Sequence, residues 1–469
     1  MDPTDIAYLS ATELIAAYQA RTLSPAEVTE SIIRRMDRLD PTFNAFALAT
    51  PDLALEQARA AESAYATETA GPLAGVPISI KDITVTKDIR TTFGSHSRAG
   101  YVPTEDAPLV ERVYAAGAVM LGKTTTPEFG WKGETSSPLL GTTRNPWDLD
   151  RTPGGSSGGA AAAVAAGLGA IAHGTDGAGS IRIPASFSGI FGLKPSYGLI
   201  PVYPASAVGD LAHWGPMTRT VADAALLLDV TAHSDPRDRT SWQGPGGYLS
   251  SLERPLGASL RVAWSVDLGY ATIEPEIADI CERAARVLAD ALGAELVHAH
   301  PTLDDPWPVE DAIWSTGMAA LYEDSLVEFR DQLDPGLLTV IEHGQTLSAV
   351  DLAMATRRRN AYCDGWRRFM EQYDIVLTPT LPCTAFPVGQ DQPGTIAGKE
   401  VGYLSWTALT YPFNLTGQPA ATLPCGFDHQ GLPVGLQIVG RWKDDTTVLR
   451  AAAAFERVMP WRQHRPPVE

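Results

Sequence analysis

Apolar positions recur along this chain at two periods, one helical and one strand-like, and their alternation predicts helices packed on a β-sheet. Ser10-Ala11-Thr12-Glu13 and Ser24-Pro25-Ala26-Glu27 each place a capping serine three residues before a glutamate, so two helices open the chain. A third helix is predicted from Pro51 to Tyr65, broken by Gly71 and Pro72. Gly75-Val76-Pro77-Ile78-Ser79-Ile80 then reads as a buried strand ending in Lys81. A helix over Leu109 to Ala116 and a strand through Ala118 to Leu121 follow, then a helix opening near Gly158 to Ala160 and the strand Ala170 to His173. Strands are also expected at Leu260 to Trp264, Glu295 to His298, Asp374 to Thr380 and Val434 to Val439. Helices are expected from Pro275 to Leu292, across Trp307 to Met370, and from Thr446 to Arg457. The polar stretch His233 to Gly247 reads as a long exposed excursion.

Composition narrows the functional classes. With 469 residues and 44% apolar content, the chain can bury a large core, and one unit spanning residues 1–469 is expected. The 36 basic and 55 acidic residues give a net charge of −19, which repels phosphate backbones and anionic bilayers, so neither nucleic acid nor membrane is an expected partner. Four widely spaced cysteines show neither zinc-site nor disulfide-framework spacing, and no metal is expected. Met1-Asp2-Pro3-Thr4-Asp5 lacks the basic and apolar start of a signal peptide, and with reduced cysteines this points to the cytoplasm. The longest small-apolar run, Ala160 to Ala172, falls short of the roughly 20 residues that span a bilayer.

Two serines carry the candidate chemistry. Ser156 lies within Pro153-Gly154-Gly155-Ser156-Ser157-Gly158-Gly159, and Ser180 within Asp176-Gly177-Ala178-Gly179-Ser180-Ile181-Arg182. Small residues around both leave backbone N–H groups bare, as a site holding an oxyanion on main-chain donors requires. They suggest a nucleophile and a proton relay, and Lys81 at the end of its buried strand can supply the base.

These three segments resemble the amidase signature hydrolases, and the resemblance runs from Leu14 through Asn145-Pro146-Trp147 to Leu432-Pro433-Val434-Gly435-Leu436-Gln437. It implies an α/β/α sandwich with a mixed central sheet covered by helices, and a helical specificity region at about 307–371. It also implies amide hydrolysis without a cofactor, on a small-molecule amide and possible ester or carbamate substrates, by a Ser-cisSer-Lys triad. Ser180 would attack, Ser156 would relay the proton, and neutral Lys81 would act as base. The backbone N–H groups of Gly177, Ala178, Gly179 and Ser180 would form the oxyanion hole. Ser157, Asp176 and Arg182 match supporting positions, while Gly130, Trp131 and Thr175 match positions around the substrate, with a core position equally open to Trp131. Relatives usually carry glycine at Ala178, whose methyl is expected to restrict the loop and narrow the pocket. Some relatives are amidotransferase subunits that pass ammonia to misacylated transfer RNA, which is the alternative function. A homodimer is compatible with all of this.

Lysine ordinarily titrates near pH 10.4, so a lysine base at neutral pH needs its pKa lowered at a cost of roughly 4 kcal/mol. Burial beside Val76, Ile78 and Ile80 is expected to supply this, with Asp82 turned away by strand alternation. Two rival patterns fail on context. Gly154 to Gly158 fits a nucleophile elbow, but the residues before it are polar and proline-broken rather than a strand. Gly117 to Thr124 fits a phosphate loop, but its middle residues are strand-like. His173 is the histidine nearest Ser180 in sequence, and it is expected to be an ordinary strand residue.

Overall fold

The computed structural model describes residues 3–256 and 260–468. Its frame is an eleven-stranded mixed sheet. In spatial order the strands are 46–49, 119–124, 77–81, 171–176, 213–218, 191–194, 420–427, 433–440, 375–379, 262–264 and 296–298. The strand Pro77–Lys81 is parallel to both of its neighbours, Val119–Thr124 and Ile171–Asp176, so Lys81, Thr124 and Asp176 leave the sheet at the same edge. From Ile171 onward the pairing becomes antiparallel across the middle of the sheet. Parallel pairing returns only between the strands at 375–379, 262–264 and 296–298. Ligand sites of such sheets open where parallel strands end and loops take over.

The predicted helix starts hold. Ser10 accepts from the Glu13 N–H and receives Glu13 in return, a complete capping box before Ala11–Gln19. Ser24 caps Pro25–Phe43 in the same way on its side-chain oxygen. Beyond these caps Leu14, Tyr18, Val28, Ile32 and Met36 turn inward to the main core.

Three departures from the expected elements have physical causes. The strands His213–Thr218, Phe191–Lys194 and Ala420–Phe427 carry no clean alternation, because both faces of the sheet are covered and every position of the first two is buried. The stretch from His233 to Gly247 is irregular but tied down. Arg112 donates to the carbonyls of Thr231, His233 and Ser234, and Trp242 donates to the Tyr197 carbonyl. The expected helical run from Trp307 to Met370 is divided into several helices, chiefly Trp307–Leu321, Pro335–Thr346 and Ala349–Phe369. The first of these packs on the other two and buries Trp314 and Met318 in a second apolar cluster beside the sheet edge.

Candidate active site

The short helix Gly158–Ala165 is built of glycine, alanine and valine, and all eight residues are buried. A Cβ on Gly159 would sit 2.2 Å from Thr125 Oγ1, and one on Gly155 would sit 2.4 Å from the Glu134 carbonyl oxygen. Small residues therefore let the Ser156-Ser157 turn press against neighbouring backbone, directly under the ends of the parallel strands. The Gly155–Ser156 peptide is cis.

Lys81 is fully buried and its Nζ is held by three hydroxyls, Ser156 Oγ at 2.7 Å, Ser157 Oγ at 2.9 Å and Thr175 Oγ1 at 2.9 Å. Burial pushes its pKa well below the ordinary lysine range, and the Asp176 carboxylate opposes that shift only in part. Asp82 plays no part in this balance. It turns away, accepts from the Thr92 N–H at 3.0 Å and lies near Lys123, as alternation requires.

The Ser180 loop is shaped by a buried ion pair. Arg182 grips Asp176 through Nε at 3.0 Å and through its terminal nitrogen at 2.9 Å, and both side chains are inaccessible to solvent. Its remaining donors reach the Thr410 carbonyl and Gln437 at 2.9 Å and Asn414 at 2.6 Å. Burial alone would raise the Asp176 pKa, but Arg182, Lys194 and Asn414 hold it well below the carboxylate range. Every donor of this pair has an acceptor, the condition under which a buried charge is tolerated.

The ionised carboxylate in turn organises the backbone that follows. Asp176 accepts from the N–H groups of Gly179 at 2.8 Å and Ile181 at 3.1 Å. This corrects one expectation: the Gly179 N–H is occupied, so Gly179 does not stand ready as an oxyanion donor. Glycine is needed there for another reason, since its φ is +132° and a Cβ would lie 2.5 Å from Thr410 Oγ1. The N–H groups of Gly177, Ala178 and Ser180 have no acceptor among the described residues.

Ser156, Thr175, Gly177 and Ser180 share the wall of a cavity of about 350 Å³. The Ser157 N–H donates to the Ser180 carbonyl at 3.2 Å, joining the two serine loops. Among the described residues no hydrogen bond links the Ser156 and Ser180 hydroxyls, so the contact that a relay needs is not closed in this state, as is common before substrate binds. Gly130 lines the cavity, and a Cβ there would lie 3.1 Å from Ser156 Oγ.

Two further expectations are corrected. Trp131 does not line the cavity. It is 2% exposed, stacks on Tyr403 with ring centroids 5.4 Å apart, and packs against Gly336. Its neighbour Phe129 takes the place at the wall. Nor does the Ala178 methyl narrow the cavity. The residue has no positive φ, its carbonyl accepts from Thr410 Oγ1 at 2.7 Å, and its side chain is buried in the cluster with Leu211 and Trp314.

Both rival patterns are set aside by the geometry: residues 152–157 are irregular, so no strand leads into Ser156 as a nucleophile elbow requires. Residues of the phosphate-loop pattern form the buried strand Val119–Thr124, with Lys123 bonded to Thr86 and Thr91 hydroxyls and the Thr84 carbonyl. His173 bonds Thr84 Oγ1 at 2.9 Å and lies edge-on to Trp214, and burial pushes its pKa down to about 3. It is a neutral strand histidine.

Residues 27–449 match the family model described as Amidase. The chain belongs to the amidase signature family. It is 40% identical over 477 residues to an acylamidase of Rhodococcus erythropolis, covering 99% of this chain and 98% of that one. It is also 38% identical over 488 residues to a glutamyl-tRNA(Gln) amidotransferase subunit of Moorella thermoacetica, covering 98% and 99%. A bacterial aryl acylamidase of the amidase signature family superposes with a TM-score of 0.91 at 31% identity, covering 97% of both chains. Among the described residues no helix is long and apolar enough to cross a membrane.

Several site residues give no sign of their role in the sequence. Thr410, Asn414 and Gln437 hold Arg182 from more than 200 positions away, and Phe93, Arg98, Trp214, Trp314 and Met318 line the cavity. None carries a local signal, because each is placed by sheet order or by helix packing.

Proposed function

We propose that the chain hydrolyses amide bonds through an acyl-enzyme on Ser180, with Ser156 as relay and Lys81 as base. The observation that carries this is a fully buried lysine of depressed pKa, one hydrogen bond from a serine that shares a cavity with a second serine. A proton inventory sharpens it. The Ser157 hydroxyl gives its single proton to the Thr175 carbonyl at 3.1 Å, so it can only accept from Lys81. A neutral amine has two N–H bonds and one lone pair. With Ser157 and Thr175 taking the two N–H bonds, the lone pair faces the Ser156 hydroxyl proton.

Ser180 Oγ then bonds to the amide carbonyl carbon as its proton passes to Ser156, whose own proton moves to Lys81. The free N–H groups of Gly177, Ala178 and Ser180 are the donors available to the oxyanion, in a cavity where apolar walls strengthen such contacts. Collapse breaks the C–N bond, and the relayed proton goes to the leaving nitrogen. Water attacks the resulting ester along the same relay in reverse and frees Ser180. Ester or carbamate substrates fit the same steps.

Incubation with a panel of anilides, aliphatic amides, esters and carbamates, with the acyl adduct located by mass spectrometry, tests the scheme. An adduct on Ser180 that is lost in Ser180→Ala is expected. An adduct on Ser156 would reverse the two serine assignments. Similarity to an amidotransferase component over nearly the whole chain supports a second reading, delivery of ammonia within a larger assembly. Glutamine-dependent transamidation with co-purifying subunits would favour it.

A further inference from the structure

The cavity wall carries one charge that the proposed chemistry leaves unused. Of the lining residues only Arg98 and Asp176 bear charged side chains, and Asp176 is fully engaged by Arg182. Arg98 lies over the Tyr101 ring, 5.6 Å from its centroid, and its guanidinium makes no hydrogen bond or ion pair to any described residue. It is exposed at the rim, so a ligand reaches it without displacing protein.

The turn that carries Arg98 is held firmly. Ser95 caps it by accepting from the Ser97 N–H at 3.1 Å, and donates to the buried Glu128 carboxylate at 2.6 Å. Glu128 also accepts from the Tyr322 hydroxyl at 2.8 Å and the Asp334 N–H at 2.9 Å, which fixes the turn to two elements of the helical region. From this rim an aromatic run leads inward. Tyr101 meets Phe93 at 6.3 Å, Phe93 stacks on Phe129 at 5.3 Å, and the next residue, Gly130, borders Ser156. Trp214, Trp314, Met318 and Leu321 add to the apolar lining.

We propose that the preferred substrates are amides bearing a carboxylate at the far end of an apolar or aromatic spacer, selected by Arg98. The inference rests on the amide-hydrolase reading. With the scissile carbonyl at Ser180, the spacer lies along Phe129 and Phe93, and the carboxylate meets the planar guanidinium fork that suits it. A chain of net charge −19 otherwise discourages anions, so this preference depends on the local cation rather than on the overall field.

Hexanoic anilide and hexanedioic acid monoanilide differ only in the terminal carboxylate and form the test pair. For the wild type, KM should be lower for the acid by about fivefold, an advantage that shrinks as salt is raised. Arg98→Gln should remove that advantage, bringing the KM of the acid to that of the neutral anilide. Arg98→Lys should keep part of it, and Arg98→Glu should reverse it. Equal KM values for the two anilides in the wild type, or an acid preference that survives Arg98→Gln, would overturn the inference while leaving amide hydrolysis intact. Failure of the wild type to turn over either anilide, with no acyl adduct on Ser180, would overturn both.

Discussion

Lys81 and Lys123 lie on adjacent parallel strands, one register step apart, and neither is exposed to solvent. Their surroundings differ in what the ammonium is offered. Lys123 has a backbone carbonyl, two hydroxyls and the nearby Asp82 carboxylate, which offset part of the burial that pushes its pKa down to about 8. Lys81 has three hydroxyls, and the carboxylate near it, Asp176, is already matched by Arg182, so burial takes its pKa well down. A carbonyl can only accept, so it favours the charged lysine, whereas a hydroxyl can turn and donate to a neutral one. The same residue type in the same layer of the sheet thus serves as a structural cation in one place and is suited to proton transfer in the other.

The largest effects should separate these two lysines. Lys81→Met and Ser180→Ala should each lower kcat/KM by at least about a thousandfold in steady-state anilide assays, with the fold intact by circular dichroism. In the wild type, kcat/KM should rise with pH as Lys81 loses its proton and level off below the ordinary lysine pKa. That rise should be absent from the residual activity of Lys81→Met. A flat wild-type profile from about pH 6 to 9 would count against Lys81 as the titrating base.

Arg182→Lys should come next, lowering kcat by about 10- to 100-fold, because one ammonium cannot replace the guanidinium contacts that shape the Gly177 to Ser180 turn. Lys123→Met should leave the shape of the activity profile unchanged but destabilise the fold by about 2–4 kcal/mol in urea titrations, since it strands the Thr84 carbonyl and Asp82. Its pH dependence has a definite sign. Lys123 titrates at about 8 when folded and near the ordinary lysine value of 10.5 when unfolded, so the unfolded chain holds the extra proton between those values. Its contribution to stability therefore rises with pH across that window, and the rise should vanish in the variant. The smallest effect is expected from Ala178→Gly, about 0.5–1 kcal/mol of lost stability and less than about threefold in KM, because the methyl is buried outside the cavity.

Local signals were legible wherever short-range physics decides the outcome. The serine caps at Ser10 and Ser24, the buried strand before Lys81 and the turning away of Asp82 follow from period, capping and alternation within a few residues. The small residues around Ser156 and Ser180 likewise announce close backbone approach. The sequence left Trp131 undecided, because an aromatic beside a cavity-lining glycine reads the same whether it faces the cavity or the helix carrying Gly336. Gly179 misled for a related reason: a bare N–H in the sequence says nothing about a carboxylate three residues earlier folding back to take it.

The order of residues was enough to single out the two serines and the lysine, the strand that buries the lysine and the compact turns that carry the serines, because each depends on neighbours in the chain. Long-range packing settled which N–H groups remain free, which aromatics wall the cavity and where Arg98 stands relative to Ser156. Those outcomes depend on residues brought together by sheet order and helix packing from hundreds of positions apart, and on competition among donors for the few buried acceptors within reach.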